Sequence, residues 1–452
     1  MRRLLILLAV FLSLGGLAAP GLIGVQAEQR YREALDGLQQ EGLALVSQKY
    51  RRGWFQAQVR SELSYRPAGS VAVPPVRIEL HSQIEHGPWT SRGGWLLALM
   101  ETWVRVDANP LSAPLLARVD FSGCGSIRLA PSALRFDGGG PYWAGLEGEI
   151  RFDALGGTNA GWLQIAELAW PGPGPGAGGL KGLRLDWQLR QKSAAAPRGE
   201  LGLSLAWLAA PHSVVEQSLE LAGLALRVGL QPNGELMSLE LDTELEALAL
   251  GSADYGPARA RLYGDNLAPP ALAALWPVLS TGLVQGAMSQ PAVRERRRVL
   301  ALLAQELLRS DPVIGLEGLQ LMTPDGSVEA SLRLRARGLR WPIDAAQALR
   351  GLQGVAELRL PEPLARALVE ARTRESLLAA RARRAPAGEA QPAFDPETFE
   401  RQLAGVVDLQ FKALLNQGLL EPQGERLEAR LRLDNGLLRV NGKDLPLGWA
   451  LR

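Results

Sequence analysis

Apolar and polar residues alternate with a period of two over most of the chain. The alternation recurs in five segments: residues 183–190, 201–208, 238–250, 329–341 and 426–447. A period of two is typical of strands that have one buried face and one polar face. The pattern therefore predicts an α+β, mainly β fold built on an extended, curved antiparallel sheet system. The pairs Asn435-Gly436 and Asn441-Gly442 predict tight turns near the C-terminus.

A helical period interrupts the alternation at a few places. Apolar residues at helical spacing predict amphipathic helical insertions near residues 291–311 and 361–410. Residues 28–52 are rich in Glu, Gln and Arg, which favour helix, and they predict a short helical stalk that ends at Gly53 as its cap. Residues 53–452 are then predicted to form one β-rich region, whose first strand carries Trp54 and Phe55 on opposite faces.

The N-terminus carries the longest apolar run. Arg2 and Arg3 precede 22 residues without a charge, Leu4 to Val25. As a helix, this run is long enough to cross a bilayer core of about 30 Å. Residues 1–27 are therefore predicted to be a membrane anchor or a signal segment; the small residue Ala27 offers a cleavage site for the second alternative. Either way, the bulk of the chain is expected to be exported, which in a Gram-negative cell places it in the periplasm; the uncleaved alternative then predicts a single-pass protein of the inner membrane.

Composition and charge exclude two classes of protein. Hydrophobic residues make up 47% of the 452 residues and charged residues 21%, which is typical of a folded chain rather than a disordered one. The 49 basic residues nearly balance the 47 acidic residues, so the chain lacks the basic excess that a nucleic acid requires. Nucleic acid is therefore not an expected partner.

Candidate chemistry is sparse. The single cysteine, Cys124, has no nearby histidine and is interpreted as a small packed residue. His81, Glu85 and His86 could form a ligand set, but the turn-like sequence after His86 favours a structural role. A literal G-x-G-x-x-G at residues 174–179 precedes a strand rather than a helix, so it does not predict a phosphate site. The sequence thus predicts no enzyme, no cofactor and no metal.

Four patches carry a resemblance to a known family. They are KYRRGWFQAQVRSEL, IEHGPW, DPVIGLEGLQL and DNGLLRVNGKDLPL. In this order, after an N-terminal membrane segment, they resemble the YdgA-like family of Gram-negative bacteria. The resemblance implies a periplasmic protein held in the inner membrane, with no catalytic residues to carry over. The matched residues are turn, cap and packing types: Tyr50, Arg52, Gly53, Trp54, Phe55, His86, Gly87, Pro88, Asp311, Pro312, Asn441 and Gly442.

Two hypotheses for function follow from the anchor and the strands. In the first, a non-enzymatic envelope protein presents an apolar sheet face to a lipid or a lipid-modified partner. In the second, a scaffold or assembly factor binds other envelope proteins, or itself as a homo-oligomer, through sheet edges or helices. Complete coverage of the apolar face by the chain's own helices would contradict the first hypothesis.

Overall fold

A computed structural model describes most of the chain after residue 19. The described residues are 20–21, 23–33, 35–36, 43–65, 75–136, 141–154, 158–170, 178–190, 198–212, 217–272, 305–339, 347, 350–384 and 396–445. The chain divides into two compact units: unit 1 comprises Met1–Glu235 and Leu272–Leu300, and unit 2 comprises Leu236–Ala271 and Ala301–Arg452. No shift in composition marks this division, so the sequence pattern predicts a single region over residues 53–452.

Unit 1 is an antiparallel meander. Its strands are β1 (Leu43–Arg52), β2 (Gln56–Tyr65), β3 (Val76–His86), β4 (Trp89–Thr90), β5 (Gly94–Trp95), β6 (Ala98–Val106), β7 (Asn109–Pro110), β8 (Leu115–Val119), β9 (Gly125–Arg135), β10 (Tyr142–Phe152), β11 (Thr158–Trp170), β12 (Gly178–Arg190), β13 (Arg198–His212) and β14 (Gln217–Asn233). The strands pair in the order β1-β2-β3-β6-β8-β9-β10-β11-β12-β13-β14. Short strand β7 pairs with β6, while β4 and β5 form a separate hairpin. Each long strand therefore pairs with the next long strand along the chain.

Helical residues 20–21, 23–33 and 35–36, which we call α1, pack against the start of this meander. The Tyr31 hydroxyl lies 3.2 Å from Oγ of Ser61 on β2, and Leu35 is buried. The small core beneath the helix is made of Ala57, Val59 and Ile84. Every second residue of β2 and β3 supplies this core, because side chains alternate between the two faces of a strand.

Unit 2 combines a second antiparallel sheet with two helices. Its strands are β15 (Leu236–Leu245), β16 (Ala247–Leu250), β17 (Ala253–Tyr255), β18 (Ala258–Leu267), β19 (Val313–Thr323), β20 (Gly326–Ala336), β21 (Leu352–Pro361), β22 (Glu421–Gln423), β23 (Arg426–Asp434), β24 (Leu437–Val440) and β25 (Lys443–Leu445). The main order is β15-β18-β19-β20-β21-β23-β24-β25. Strand β16 pairs with β17, and β22 pairs with β23.

The helices of unit 2 are α2 (Glu362–Arg384) and α3 (Pro396–Asn416). They occupy the region where the sequence predicts helical insertions near residues 361–410. Phe411 of α3 is fully buried with Leu360 and Leu427 of the sheet and Ala365 of α2. Glu428, also buried, is bound by Arg359 at 3.1 Å and Arg430 at 2.9 Å.

The predicted alternation is confirmed as strand structure. The segments that begin at residues 183 and 201 lie in β12 and β13, and the C-terminal segment forms β23, β24 and β25. Asn435 and Asn441 adopt φ values of 49°, and each is followed by a glycine with φ of 79°. This left-handed backbone is the one that tight hairpin turns require. The fold is mainly β, antiparallel and poor in helix, as predicted.

The prediction of a helical stalk over residues 28–52 is wrong for residues 43–52. Leu43–Arg52 form strand β1 and pair with β2 along their whole length. Gly53 caps no helix; its N–H donates to the carbonyl of Gln56 in the turn between the two strands. The tertiary pairing overrides the helical propensity of the local sequence.

Two further predictions fall largely on residues outside the described ranges. Residues 4–19 of the predicted membrane segment lie outside them, as do residues 291–304 of the predicted helix 291–311; residues 305–308 are helical. Within the described ranges, no helix combines the length and the apolar character needed to cross a bilayer.

Candidate functional site

The candidate ligand set on β3 does not converge. His81 and His86 are five residues apart on one strand, so they lie on opposite faces of the sheet. The Glu85 carboxylate accepts hydrogen bonds from the backbone N–H of Ser91 at 2.7 Å and from the Ser91 hydroxyl at 2.6 Å. Cys124 lies in the turn between β8 and β9. Within the described part of the chain, no three His, Cys, Asp or Glu side chains are grouped as a metal site.

A polar cavity of about 470 Å³ lies on the other face of β1, β2, β3 and β6. Lys49, Arg60, His81 and Trp103 form a straight row across these four strands. Glu79 lies 3.9 Å from Arg60 and 3.8 Å from His81, so an acid offsets part of the positive charge. The row contains charged side chains and one aromatic ring. It contains no general base hydrogen-bonded to a nucleophile, the pair that nucleophilic catalysis uses.

Three signature residues of unit 1, Arg52, Trp54 and His86, lie against α1. A Cβ atom added at Gly24 would lie 2.8 Å from the ring of His86, and one added at Gly21 would lie 3.3 Å from the indole of Trp54. Arg52 Nη1 lies 3.5 Å from Glu28 of the same helix. These three residues therefore help to hold the N-terminal helix on the sheet.

Tyr50 belongs to the same contact. Its ring meets Tyr31 of α1 edge-on, with ring centroids 6.3 Å apart. Burial raises the pKa of Tyr50 to about 12, and the carboxylate of Glu28 acts in the same direction. The phenol thus stays neutral and serves as a packing group.

Trp54 and Phe55 lie in the turn between β1 and β2 rather than on a strand, and both are more than half exposed. The prediction that they occupy opposite faces of one strand is therefore wrong. The Phe55 carbonyl accepts a hydrogen bond from the N–H of His86 at 2.8 Å, and the next N–H, of Gly87, donates to Leu97 at 2.7 Å. A Cβ atom at Gly87 would lie 1.9 Å from the carbonyl oxygen of Leu96, so only glycine fits there. Pro88 follows and leads into the hairpin of β4 and β5.

His86 predicts a pH dependence of stability. Burial lowers the pKa of His86 below its usual 6.5; the Trp54 carbonyl opposes this shift and Arg52 adds to it. The folded protein then keeps the ring neutral while the unfolded chain binds a proton, so stability is complete above about pH 6.5 and falls as the pH drops toward the folded pKa. We expect Tm to fall less between pH 7 and 5 in His86→Gln than in the wild type. A single histidine can change the free energy of unfolding by at most about 1.4 kcal/mol per pH unit.

The measurement is Tm against pH for both proteins. Above pH 7 the difference between the two curves should be constant, which serves as the internal control. Parallel curves between pH 7 and 5 would contradict a neutral, buried His86.

Strands β11 to β14 carry an apolar face that continues across all four strands. The register aligns Leu163, Leu185, Leu203 and Leu226 in one row. Neighbouring rows add further apolar side chains on the same face. We call this set the Leu face: Leu163, Ile165, Leu183, Leu185, Trp187, Leu189, Leu201, Leu203, Leu205, Leu224, Leu226, Val228 and Leu230.

The opposite face of the same strands is polar. It carries Trp162, Gln164, Arg184, Asp186, Gln188, Glu200, Ser204 and Arg227. There Arg184 binds Asp186 through two bonds of 2.8 Å, and its guanidinium lies 5.2 Å from the ring centroid of Trp162. The sheet is thus amphipathic, with a Leu-rich face and a charged face.

The Leu face is only partly covered. Ile165 and Leu205 are buried, but Leu163 is 37% exposed and Leu189 is 44% exposed. Trp187 lies over Gly161, where an added Cβ would be 2.6 Å from the indole, and its Nε1 donates to Asn159 at 3.0 Å. A contiguous apolar surface that stays partly exposed is typical of an interaction site.

Unit 2 repeats this arrangement. A row of Leu262, Leu316, Leu332 and Leu431 crosses its sheet through Ala356. Helices α2 and α3 cover the same face at Val328, Leu358 and Leu427. Leu262 and Leu332 nevertheless remain 42% and 40% exposed. The helices therefore leave part of this apolar face open.

The family described as "Bacterial protein of unknown function (DUF945)" matches residues 1–448 of the 452 residues. The chain belongs to this family. No curated protein and no solved structure matches the chain. Membership in DUF945 therefore assigns the chain to a bacterial family without adding a reaction or a ligand.

In this DUF945 protein, the signature residues of unit 2 stabilise turns. Asp311, with φ of 51°, accepts a hydrogen bond from the N–H of Gly338 at 2.7 Å, and the carbonyl of buried Pro312 accepts from Ala336 at 3.0 Å. Asn441 accepts from the N–H of Arg430 at 2.7 Å. Gly442 completes the turn between β24 and β25.

Sequence reasoning missed the role of Gly21 and Gly24. Their spacing of three residues puts both on one face of α1, the face that meets Trp54 and His86. That spacing was the available signal, but the partner residues lie more than 30 residues away along the chain. In the DUF945 fold, the N-terminal helix and the hairpin are therefore recognised as one site only once the tertiary contacts are known.

Proposed function

We propose that this protein is a non-enzymatic protein of the cell envelope that binds an acyl chain of a lipid, or of a lipid-modified partner, on the Leu face. The observation that carries the proposal is the continuity of that face across β11 to β14 together with the exposure of Leu163 and Leu189. An acyl chain bound there would remove apolar surface from water, and each Å² removed would contribute about 25 cal/mol to the free energy of binding. The non-directional nature of this gain suits a ligand without polar anchor points along its length.

The proposal includes a place in the cell. The charge-free run Leu4 to Val25 and the resemblance of the signature patches to the YdgA-like family favour attachment to the inner membrane, with the bulk of the chain in the periplasm. The packing of α1 favours the uncleaved alternative. Removal of the first 27 residues would take away Gly24 and the buried Pro20, and would uncover His86.

One preparation tests both parts of the proposal. The full chain is extracted from its native membrane in mild detergent, and intact-mass and lipid mass spectrometry are applied to the same sample. We expect the uncleaved mass of 48.7 kDa and about one bound lipid per chain. A mass that lacks the first 27 residues would contradict the anchor. A protein partner in stoichiometric amount, without lipid, would contradict the lipid function and favour the scaffold function.

A further inference from the structure

Unit 1 exposes five large aromatic side chains in turns and in one short hairpin. Each is between 53% and 69% exposed. We call them the aromatic rim: Trp54, Phe55, Trp89, Trp95 and Phe121. Trp89 and Trp95 contact each other edge-on, with ring centroids 5.9 Å apart and planes at 84°. Exposed aromatic side chains in this number are unusual on a surface that meets only water.

The rim lies at one end of the strands, along the edge that their connecting turns form. Backbone hydrogen bonds connect successive turns: His86 N–H donates to Phe55, Gly87 N–H donates to Leu97, and Leu97 N–H donates to Val119. The turn between β1 and β2, the connection from β3 to β6 and the turn after β8 are therefore neighbours. All five aromatic side chains belong to these three connections.

The N-terminal helix reaches the sheet at this same edge. Gly21 lies against Trp54 and Gly24 against His86, whereas Tyr31 meets Ser61 farther along the strands. The described chain therefore starts, at residue 20, beside the aromatic rim. Residues that precede it in the sequence include most of the charge-free run.

The part of the charge-free run that precedes α1 is too short to span a bilayer core by itself. Because residues 20–21 and 23–25 belong to α1, 16 charge-free residues remain before it, from Leu4 to Ala19. An α-helix of 16 residues is about 24 Å long at 1.5 Å per residue, which is shorter than a bilayer core of about 30 Å. A spanning segment would then have to continue to the residues that contact Trp54. Anchoring of this kind brings the rim to the membrane surface.

We propose that the aromatic rim lies in the interfacial layer of the bilayer, so that the strands of unit 1 extend away from the membrane. This inference rests on the proposed uncleaved anchor. Trp side chains are enriched at membrane interfaces, where an apolar ring and a polar N–H find both environments. Two acidic residues, Glu85 and Asp120, lie close to the rim. Their carboxylates accept hydrogen bonds from Ser91 and from the N–H groups of Ser122 and Cys124, so these bonds partly offset the cost of placing the carboxylates at the interface.

The test compares two positions in the full chain reconstituted in vesicles of phosphatidylethanolamine and phosphatidylglycerol. Arg92 is exposed at the tip of the β4–β5 hairpin, and Ala44 is exposed on β1 near the opposite edge. Eight residues separate Ala44 from the end of β1 at Arg52, about 26 Å at 3.3 Å per residue. A fluorophore is attached in Arg92→Cys/Cys124→Ser and, as the matched control, in Ala44→Cys/Cys124→Ser.

We expect a nitroxide on the lipid headgroup to quench the label at position 92 at least threefold more than the label at position 44. Adding Trp89→Ser/Trp95→Ser should reduce the quenching at position 92. Equal quenching at both positions in protein that resists an alkaline wash would overturn the inference and leave the anchor standing. Release of the protein by that wash would overturn the anchor and the inference with it. Binding of lipid on the Leu face is measured independently, by co-purification.

Discussion

Replacing Leu163 and Leu189 together by Glu is expected to lower the affinity of the protein for lipid about 10-fold or more. Both side chains lie on the Leu face and are exposed, so the substitutions should leave the fold intact. Full burial of a leucine contributes roughly 1.5–3 kcal/mol. Because the two side chains are 37% and 44% exposed, covering both with an acyl chain contributes about 1.2–2.4 kcal/mol, or roughly one order of magnitude in affinity or more. A carboxylate pressed against the ligand adds an unfavourable desolvation term.

The matched control is Gln164→Glu/Gln188→Glu. These residues are the immediate neighbours of the two leucines on the same strands and lie on the polar face. The control adds the same charge to the same strands. Affinity is measured with a fluorescent phosphatidylglycerol, and lipid per chain is counted by native mass spectrometry. Equal loss in both double variants, or no loss in either, would place the binding surface elsewhere.

Replacing Phe411 by Ala is expected to destabilise unit 2 by about 3–5 kcal/mol, the usual cost of truncating a fully buried aromatic side chain. Phe411 is 1% exposed and packs α3 on Leu360 and Leu427. The guanidinium of Arg366 lies 4.6 Å from the ring centroid, so the substitution also removes a cation–π contact. The cavity would weaken the packing of both helices on the sheet they cover.

The measurement is urea unfolding of the full chain, followed by hydrogen exchange in the peptides that cover β21 and β23. The control is Leu409→Ala on the same helix, where the side chain is 72% exposed and the expected change is within about 0.5 kcal/mol. Similar shifts for the two variants would show that Phe411 does not hold the helices on the sheet.

The strands were predictable because the fold repeats one simple rule. In β12, apolar side chains recur at every second position: Leu183, Leu185, Trp187 and Leu189. A strand in an amphipathic sheet needs nothing more than this period to define its apolar face. The sequence alone also indicates the turns at Asn435 and Asn441, since few residues other than Asn and Gly adopt positive φ at low cost. Local chemistry determines these features.

The local sequence of β1 predicts helix for a specific reason. Its register shifts between Leu45 and Ser47, so one extra residue breaks the alternation. With the bulge, Val46 falls at helical spacing from Leu43, and the residues around it have good helical propensity. Pairing with β2 supplies cross-strand contacts, such as Tyr50 opposite Val59, that the local pattern does not reveal.

The candidate site was only partly predictable. Alternation along each strand predicts apolar residues on one face, but the rows of the Leu face depend on the register between strands. The burial of His86 depends on Gly24, 62 residues earlier in the chain. Contacts of this kind are fixed by tertiary packing, and a single sequence carries no direct sign of them.

The meander of unit 1 also bears on how such a protein can change in length over evolution. Loss of β12 and β13 together would bring β11 beside β14, and the two would still run antiparallel. Their apolar residues, Leu163 and Leu226, would remain on one face, because both belong to the same row. Loss of one strand would instead reverse the direction of everything that follows. The sheet can therefore widen or narrow by whole hairpins while the N-terminal contact and the remaining rows of the Leu face keep their geometry.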